Sequence, residues 1–590
     1  MSSQNTHSMF TTTNGYNIVI DTDSYKAGHP SMYGRKVFRD EGDGVMKRRK
    51  LTGMYDYLGP RKGGQYDELV VGGTVFVSKI LETTRVTKEM VDEAEVFFAD
   101  HLGPGVWDRT MWDIVVNRHE GRLPLLFSAL PEAKFVPAGT PMAVLESTDP
   151  DCATLVSHLE GMIQSYIWYW STVATRSLHF NKVITAFWKK YVDPTKYEAL
   201  KGFFHHDFAR RAASSPESAF IAGCAHLYFS MGTDTCGAAQ WMRKNMGEPD
   251  GKGGFLMPGF SVRATEHSVM TQLGPQGEMQ VFDDIYDSLP DKCIFSCVND
   301  AYCAWAHVNA ISTGARKDKI LSQGIKVVTR NDSDFVVEFT KDSDGRNVLT
   351  PKLAEMYATT YEYKTVTGDV VTKHIFPEDV RRSIQSILDQ APTPVTASTA
   401  AEKSKPVTLK LTTEQTVLTY LSILRNNLAD RITRNIAELD VLPDQFGMMC
   451  GDGLDPDKIG RIEQAMVDDG WSPCNMVLGT GGKLYQHGIS RDTGNFAMKA
   501  SQLQWLVELE DGTTYTETVG ICKETVGKES IKGRLMVYEL DGKVLTAPEG
   551  SVDAPNLLQP TVRDGRLLTT LPHIGQIRQL ISEQRAARGI

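Results

Sequence analysis

The chain has 590 residues, which is enough for two to four domains with large cores. Its formal net charge of −10 is mild and is not gathered in a tail, which argues against a nucleic-acid-binding surface. The nine cysteines include no CxxC pair, so we expect neither zinc nor a disulfide framework, and a reducing cytoplasm fits best.

The N-terminal region lacks the apolar core of a signal peptide, and no stretch reaches the roughly 18 apolar residues of a membrane helix. We therefore expect an intracellular protein with no membrane partner. Residues 1–13 are interpreted as a disordered lead-in. Residues 14–160 mix strand-like and helix-like segments, which predicts an α+β domain, and the charged run MKRRK at 46–50 is interpreted as a solvated loop.

One pattern repeats between Phe203 and Gly482: a short apolar run ends in polar or glycine residues, and helix-like sequence follows. The clusters, in chain order, are HHDF at 205–208, TDT at 233–235, EH at 266–267, ND at 299–300, RNDSD at 330–334, GDG at 451–453 and GTGG at 479–482. This order is typical of parallel strands whose carboxyl ends carry an active site. It predicts a β/α barrel over residues 161–484.

The first helix of this series has clear end signals, since Ser215 can cap its N-terminus and Pro216 suits the first helical position. Gly247 is placed to end the next helix. Residues 386–410 are rich in Pro, Ala, Ser, Thr and Lys, which indicates a flexible insertion.

Residues 485–590 change to short strands joined by Asp-Gly turns, which predicts a β-rich part that packs with the N-terminal domain. The fold class is therefore α/β: an irregular β/α barrel packed with an α+β domain built from the N- and C-terminal parts.

Several of these clusters have a chemical and a plain structural interpretation. The glycines of LGTGGK, with Arg491 and Lys499 downstream, could bind a phosphate through their N–H groups, or they could simply form a tight turn. Asp300, Asp332 and Asp452 could hold Mg²⁺ through water or accept hydrogen bonds from ribose, although a strand-end aspartate often only caps a helix.

His267 could be a nucleophile or a phosphate ligand, and a structural histidine is the alternative. Phe208 and Tyr25 could stack on a planar ring, and core packing is the alternative. Together the residues indicate a phosphorylated, hydroxylated, magnesium-bound ligand with a planar partner, but they name no reaction.

A dozen motifs resemble, in order and approximate spacing, the nicotinamide phosphoribosyltransferases, a type II phosphoribosyltransferase family. They are TDSYK, YDYLGPR, ESTDPDC, STVATRS, HHDFARRAASS, GTDT, SVRATEHS, TRNDSD, GDGLD, LGTGG, SRD and IKGRL. The resemblance implies transfer of phosphoribosyl from 5-phosphoribosyl-1-pyrophosphate to nicotinamide, giving nicotinamide mononucleotide and pyrophosphate in NAD salvage. It also implies a homodimer in which the barrel of one subunit and the N-terminal domain of the other share each active site.

The resemblance assigns roles to individual residues. Nicotinamide would be bound by Phe208, Arg211, Asp234 and Tyr25 of the partner subunit. Ribose and its phosphate would be bound by Asp332, Gly451, Asp452, Gly481, Gly482 and Arg491. Pyrophosphate would be bound by Arg330, Lys499, Lys523, Lys532 and Arg61 of the partner subunit.

The catalytic set implied by the resemblance is His267, Asp300 and Asp332. Asp300 and Asp332 would lie near Mg²⁺, through water, and His267 would be phosphorylated by ATP as an optional co-substrate. Asp334 stands where the family has glycine, which adds negative charge near the pyrophosphate end. The alternatives are nicotinate phosphoribosyltransferase on the same scaffold and a non-catalytic pyridine-nucleotide-binding protein.

Overall fold

The structure is a computed structural model, and it describes residues 16–302, 304–334, 336–349, 359–364, 370–375, 407–451, 453–524 and 530–589. The predicted lead-in at 1–13, Asp452 and most of the predicted insertion at 386–410 lie outside these residues. The last four residues of that predicted insertion are described, and they form the strand Val407–Lys410, which pairs with Val336–Lys341.

The helices are α1 Ser24–Ala27, α2 Thr74–Thr83, α3 Lys88–Leu102, α4 Thr110–Arg118, α5 Leu155–His158, α6 Glu160–Tyr191, α7 Pro194–Leu200, α8 Pro216–His226, α9 Cys236–Met246, α10 His267–Met270, α11 Gly274–Asp287, α12 Ala304–Ile311, α13 Gly314–Gln323, α14 Thr413–Asn427, α15 Pro456–Asp468, α16 Gly482–Tyr485 and α17 Ile574–Ala586. None of these described helices combines the length and the apolar character needed to cross a membrane.

The strands are β1 Arg35–Asp40, β2 Met46–Pro60, β3 Glu68–Val70, β4 Leu125–Ala129, β5 Phe135–Pro137, β6 Ala143–Ser147, β7 His205–Asp207, β8 Gly232–Thr233, β9 Arg263–Ala264, β10 Ile294–Val298, β11 Lys326–Asn331, β12 Val336–Lys341, β13 Asn347–Leu349, β14 Thr359–Lys364, β15 Val370–Ile375, β16 Val407–Lys410, β17 Thr433–Arg434, β18 Asp440–Val441, β19 Phe446–Cys450, β20 Met476–Thr480, β21 Phe496–Leu509, β22 Thr514–Gly520, β23 Leu535–Leu540, β24 Lys543–Pro548, β25 Gln559–Arg563 and β26 Arg566–Leu567.

A seven-stranded sheet in the order β8-β7-β20-β19-β11-β10-β9 forms the barrel, and all its recorded strand pairs are parallel. The residues just before β9 also pair with β8, because the amide of Phe260 donates to Met231 O at 2.6 Å and the amide of Thr233 donates to Phe260 O at 2.9 Å. These bonds connect β8 to the segment that leads into β9, so the two edges of the sheet are linked. The predicted irregular β/α barrel is thereby confirmed.

The helix-end signals of the sequence act as predicted in the first barrel units. The Ser215 hydroxyl accepts a hydrogen bond from the amide of Ser218, and Pro216 is the first residue of α8. Gly247 follows the last residue of α9. The Ser215 hydroxyl replaces a hydrogen bond that is missing in the first turn of α8, and glycine is favoured directly after the last residue of a helix.

An eight-stranded sheet from both ends of the chain forms the second layer, in the order β22-β21-β2-β6-β4-β25-β26 with β1 on β2. The α+β domain built from N- and C-terminal parts is thus confirmed. The interpretation of 46–50 as a solvated loop is wrong, because these residues begin the 15-residue strand β2. Their charges are matched across the sheet, where Arg48 pairs with Glu508 and Arg49 with Glu517.

Two hydrophobic cores lie side by side, one within the barrel layer and one under the eight-stranded sheet. The 32-residue helix α6 belongs to both, since Ile163 and Ile167 lie in the second core and Trp170 and Leu178 in the first. The C-terminal helix α17, which the sequence analysis did not include, packs three isoleucines into the barrel core.

Candidate active site at the carboxyl ends of the barrel strands

The barrel strands bring five of the predicted site residues to one end of the sheet. Phe208, Asp234, Asp300, Asp332 and Gly451 each follow the end of a strand by one or two residues. Backbone bonds tie these positions together: the amide of Phe208 donates to Thr480 O, that of Asp234 to Asp207 O, and that of Gly451 to Asn331 O, at 3.0 to 3.1 Å. The polar clusters of the sequence therefore form one mouth.

The Phe208 ring packs against the backbone of Gly479 and lies near the backbone of Gly451. A Cβ atom added to Gly479 would overlap the ring, and one added to Gly451 would lie 3.9 Å from it. The ring centroid is 4.6 Å from that of His206 and 5.8 Å from the guanidinium carbon of Arg330. An aromatic face beside a cation is a suitable surface for stacking a planar ligand.

We expect Gly479→Ala to displace the Phe208 ring, because the added methyl group occupies the space of its Cε2 and Cδ2 atoms. The expected result is a loss of roughly 10- to 100-fold in kcat/KM, seen mainly as a higher KM for the planar substrate. Steady-state kinetics measure this effect. Gly460→Ala, within α15, is the matched control for the added methyl group, since the nearest atom to its Cβ position is 3.8 Å away and no ligand role is assigned to it, and an equal or larger defect in that variant would contradict the prediction.

Asp234 is held beside this ring by two hydrogen bonds. Its Oδ1 atom accepts from Ser261 Oγ at 2.6 Å and contacts His206 Nε2 at 2.9 Å. Burial alone would raise the pKa of Asp234, but the hydrogen bonds from His206 and Ser261 outweigh it and lower the pKa below its usual value. The side chain is 40% exposed, so an ionised carboxylate faces the mouth.

Asp207 holds the strand ends beneath these residues together. It is fully buried, and it accepts hydrogen bonds from Thr233 Oγ1 at 2.8 Å, Thr235 Oγ1 at 2.7 Å and the hydroxyl of Tyr485. Its other oxygen accepts from the amide of Ala209 at 2.7 Å. Burial, followed by the charge of Asp207, raises the pKa of Tyr485 well above its usual value, so this tyrosine stays a donor.

The predicted catalytic residues form a second group across the mouth. His267 Nε2 lies 3.1 Å from Asp300 Oδ1, and the other oxygen of Asp300 accepts from Ser333 Oγ. The imidazole is half exposed, whereas the Asp300 side chain is 4% exposed. Asp332 pairs with Arg330, with Nε and Oδ1 3.2 Å apart. An exposed imidazole oriented by a buried carboxylate is well placed to accept a group from a ligand.

Two models of known families match this chain. One, described as the N-terminal domain of nicotinamide phosphoribosyltransferase, matches residues 17–127. The other, described as the nicotinate phosphoribosyltransferase family, matches residues 203–378 and 428–534, which include the mouth described above. The chain belongs to this phosphoribosyltransferase family.

Curated relatives in the family span most of the chain. A nicotinamide phosphoribosyltransferase of Xanthomonas campestris is 25% identical over 524 residues, which cover 88% of this chain and 87% of the relative. One of Acinetobacter baylyi is 25% identical over 390 residues, covering 65% and 61%, and one of Mycoplasma pneumoniae is 24% identical over 416 residues, covering 70% and 71%.

Solved structures were also found to be similar. A nicotinate-nucleotide pyrophosphorylase from Pyrococcus furiosus superposes with a TM-score of 0.49 at 13% identity and covers 100% of both chains. Human nicotinic acid phosphoribosyltransferase gives a TM-score of 0.44 at 13% identity, with 96% of this chain and 93% of that chain covered.

Two of the predicted phosphate residues, Gly481 and Gly482, directly follow β20 at the same end of the sheet. Gly481 precedes the short helix α16 and has open space above its Cα atom, while Gly482 lies near Ala212. The side chain of Arg491 is half exposed and lies 3.2 Å from Asp492. Arg211 is exposed in the turn that follows Phe208.

The other predicted cations of this phosphoribosyltransferase lie on the α+β domain. Arg61 donates to Asn495 at 2.7 Å, and Lys499 lies on β21 opposite Tyr57. Lys523 and Lys532 follow β22. Tyr25 lies on α1, is 62% exposed, and its ring contacts His29 at a centroid distance of 5.4 Å rather than Phe208. Within one chain, Arg61, Lys499 and Tyr25 therefore contact residues of the α+β domain.

Asp334, the residue that departs from the family glycine, has partners of its own. Its carboxylate accepts from Thr413 Oγ1 and lies 3.7 Å from Lys410 Nζ, and its side chain is 13% exposed. The expected extra negative charge near pyrophosphate is therefore engaged by residues of α14 and β16.

Candidate metal ligands occur in two places. The backbone amide of Asp332 donates to Asp300 Oδ2 at 3.3 Å, and the carboxylate of Asp332 is partly exposed; carboxylate oxygens suit Mg²⁺. A second group, in the α+β domain, brings together ligand atoms of His119, Asp149 and Cys152 within 4.8 Å. There Arg118 donates to Asp149 at 2.8 Å, which supplies a structural partner for that carboxylate.

Sequence reasoning missed His206, Ser261 and Asp207 as parts of this site. His206 and Phe208 are two residues apart, and side chains two apart on a strand share a face, so the HHDF motif carried the signal for His206. Ser261 approaches only through the irregular closure of the barrel before β9, which no local pattern indicates.

Proposed function

We propose that this protein transfers the phosphoribosyl group of 5-phosphoribosyl-1-pyrophosphate to nicotinamide, with nicotinamide mononucleotide and pyrophosphate as products. The observation that carries the proposal is the ionised Asp234 beside the Phe208 ring. A carboxylate there accepts a hydrogen bond from a carboxamide NH₂ and repels nicotinate, whose carboxylate has the same charge. The named relatives support the same substrate.

In the proposed reaction, the pyridine nitrogen bonds to C1 of the ribose as the bond from C1 to the pyrophosphate oxygen breaks. Phe208 and Asp234 would fix the ring with its nitrogen towards C1, and Gly451 and Asp332 would hold the ribose. Arg330 would bind the departing pyrophosphate. Catalysis then rests on positioning and charge stabilisation, without a protein nucleophile for the ribosyl step.

Mg²⁺ would be held near Asp300 and Asp332 through water and would neutralise charge on the pyrophosphate. We also propose that ATP phosphorylates His267, which Asp300 would orient through their 3.1 Å contact. A phosphoimidazole at this position would change the charge of the mouth and thereby the affinity for the anionic substrate.

The distribution of the predicted pyrophosphate and ring contacts supports a homodimer with shared active sites. Phe208 and Arg330 lie at the barrel mouth, whereas the other cations and the exposed Tyr25 lie on the α+β domain. In the dimer, Tyr25 of the partner subunit would cover the outer face of the nicotinamide ring. We place the reaction in the cytoplasm, in keeping with the cysteine usage of the sequence.

The direct test is incubation of the purified protein with nicotinamide, 5-phosphoribosyl-1-pyrophosphate and Mg²⁺, with and without ATP, followed by chromatography for nicotinamide mononucleotide. Absence of product under both conditions would overturn the proposal. Turnover with nicotinate alone would instead support the nicotinate phosphoribosyltransferase alternative, and tight binding without turnover would support a non-catalytic binding protein.

We expect Asp234→Asn to lower the preference for nicotinamide over nicotinate by roughly tenfold or more, because it removes the charge that repels the acid. The ratio of kcat/KM for the two substrates measures the change. Asp344→Asn is the matched control, since that side chain is 66% exposed and its variant should keep the ratio of the unmodified protein. An unchanged ratio in Asp234→Asn would contradict the role given to this carboxylate.

A further inference from the structure

A cavity of about 550 Å³ lies at the opposite end of the barrel from the mouth. Phe204 and Met231, which directly precede β7 and β8, form its inner wall. Helices α6 and α7 and the C-terminal helix α17 enclose the sides. Nothing in the proposed transfer reaction uses this cavity, and its volume is in the range of small-molecule sites.

The cavity carries more positive than negative charge. Arg578, Arg585, Lys189 and Lys201 line it, and Glu198 is the one acid among the residues recorded around it. Glu198 already pairs with Lys201 at 2.6 Å. The two arginines and Lys189 form no salt bridge in the part of the chain that the structure describes, and the carboxylate that acts on Arg578 from a distance is that of Glu248.

The hydrogen bonds that the two arginines donate all go to neutral groups. Arg578 donates to Leu227 O at 2.7 Å and to Pro258 O at 2.7 Å, and Arg585 donates to the amide oxygen of Asn181. Burial lowers the pKa of Arg578 to about 10 and also lowers the pKa of Arg585. The protein environment therefore disfavours the charged form of both guanidinium groups.

Two polar atoms beside the cavity lack partners. The Nη2 atom of Arg585 and the hydroxyl of Ser230 are buried, and neither has a hydrogen-bond partner among the described residues. Ser230 itself is 1% exposed. Buried donors of this kind are normally paired, so they indicate a missing acceptor.

We propose that this cavity is a second ligand site, which binds a small phosphomonoester with a flat apolar body. The phosphate would accept hydrogen bonds from Arg585, Arg578 and Ser230, since guanidinium groups match phosphate oxygens in geometry and charge. The apolar body would lie against Phe204, Phe229 and Ile581, which form the rest of the lining.

The test uses the full-length protein and phenyl phosphate, followed by hydrogen–deuterium exchange and mass spectrometry, because exchange locates the binding site. We expect slower exchange in peptides from 181–201 and 574–586 at millimolar phenyl phosphate. Benzyl alcohol, which has the ring without the charge, should give no such protection. Protection confined to peptides of the mouth, or equal protection by benzyl alcohol, would overturn the proposal.

Arg585→Gln should weaken the binding of phenyl phosphate at these peptides by roughly tenfold or more. Arg588→Gln is the matched control, since Arg588 pairs with Glu68 and does not line the cavity, and it should keep the affinity. Lys189→Gln is a second test variant, and it should also weaken binding. Lys189 is exposed, so this substitution should leave the fold intact. Undiminished binding in both the Arg585 and Lys189 variants would overturn the proposal.

Discussion

Arg330→Gln is expected to lower kcat/KM for nicotinamide mononucleotide formation by roughly 100- to 1,000-fold. The guanidinium lies 5.8 Å from the Phe208 centroid and 3.2 Å from Asp332, and its side chain is 13% exposed. A cation so well shielded from solvent stabilises the negative charge that develops on the departing pyrophosphate far more than a surface cation would. Glutamine keeps the approximate size and polarity of the side chain but removes this charge.

The control for Arg330→Gln is Arg316→Gln. Arg316 pairs with Asp283 through two hydrogen bonds on the outer surface, away from the mouth, so its loss should leave kinetics unchanged. Circular dichroism and steady-state kinetics on both variants complete the comparison. Activity within about threefold of the unmodified protein in Arg330→Gln would contradict a role in stabilising the leaving group.

Asp207→Ala is expected to destabilise the fold by about 3 to 5 kcal/mol. The substitution removes the acceptor for the hydroxyls of Thr233, Thr235 and Tyr485 and for the amide of Ala209, all in a buried setting. The ends of β7 and β8 and the helix α16 lose their common hydrogen-bond acceptor, so we also expect activity to fall. Chemical denaturation followed by fluorescence measures the free energy of unfolding.

Asp207→Asn refines this second prediction. The amide retains one oxygen as an acceptor, so the loss of stability should be smaller than in the alanine variant. Asp344→Ala, at an exposed position, is the reference for a surface aspartate. If Asp207→Ala changes the free energy of unfolding by less than about 1 kcal/mol, the four hydrogen bonds are not the support that their geometry indicates.

The barrel and the residues at its mouth could be predicted because both depend on local order along the chain. An apolar run followed by a polar cluster marks the end of each strand, and the ends of parallel strands meet. Phe208, Asp234 and Asp332 therefore had recognisable positions before any three-dimensional information. Their assignment to parts of one ligand needed the family resemblance.

Pairings between distant segments could not be predicted in the same way. The charges at 46–50 indicated a loop because their partners, Glu508 and Glu517, lie on strands more than 400 residues away. Asp334 looked like an unpaired charge for a related reason, since Thr413 is 79 residues further along. Charge patterns show where partners are needed, but they do not show which distant strand supplies them.

Helix α6 has a consequence for the protein as a unit of folding. At 1.5 Å per residue its 32 residues extend for roughly 48 Å, and they bury side chains in both cores without a break. A cut anywhere along it would expose apolar surface of one core or the other. The barrel therefore has no clean boundary at which it could be excised, and the two layers should gain and lose their structure together.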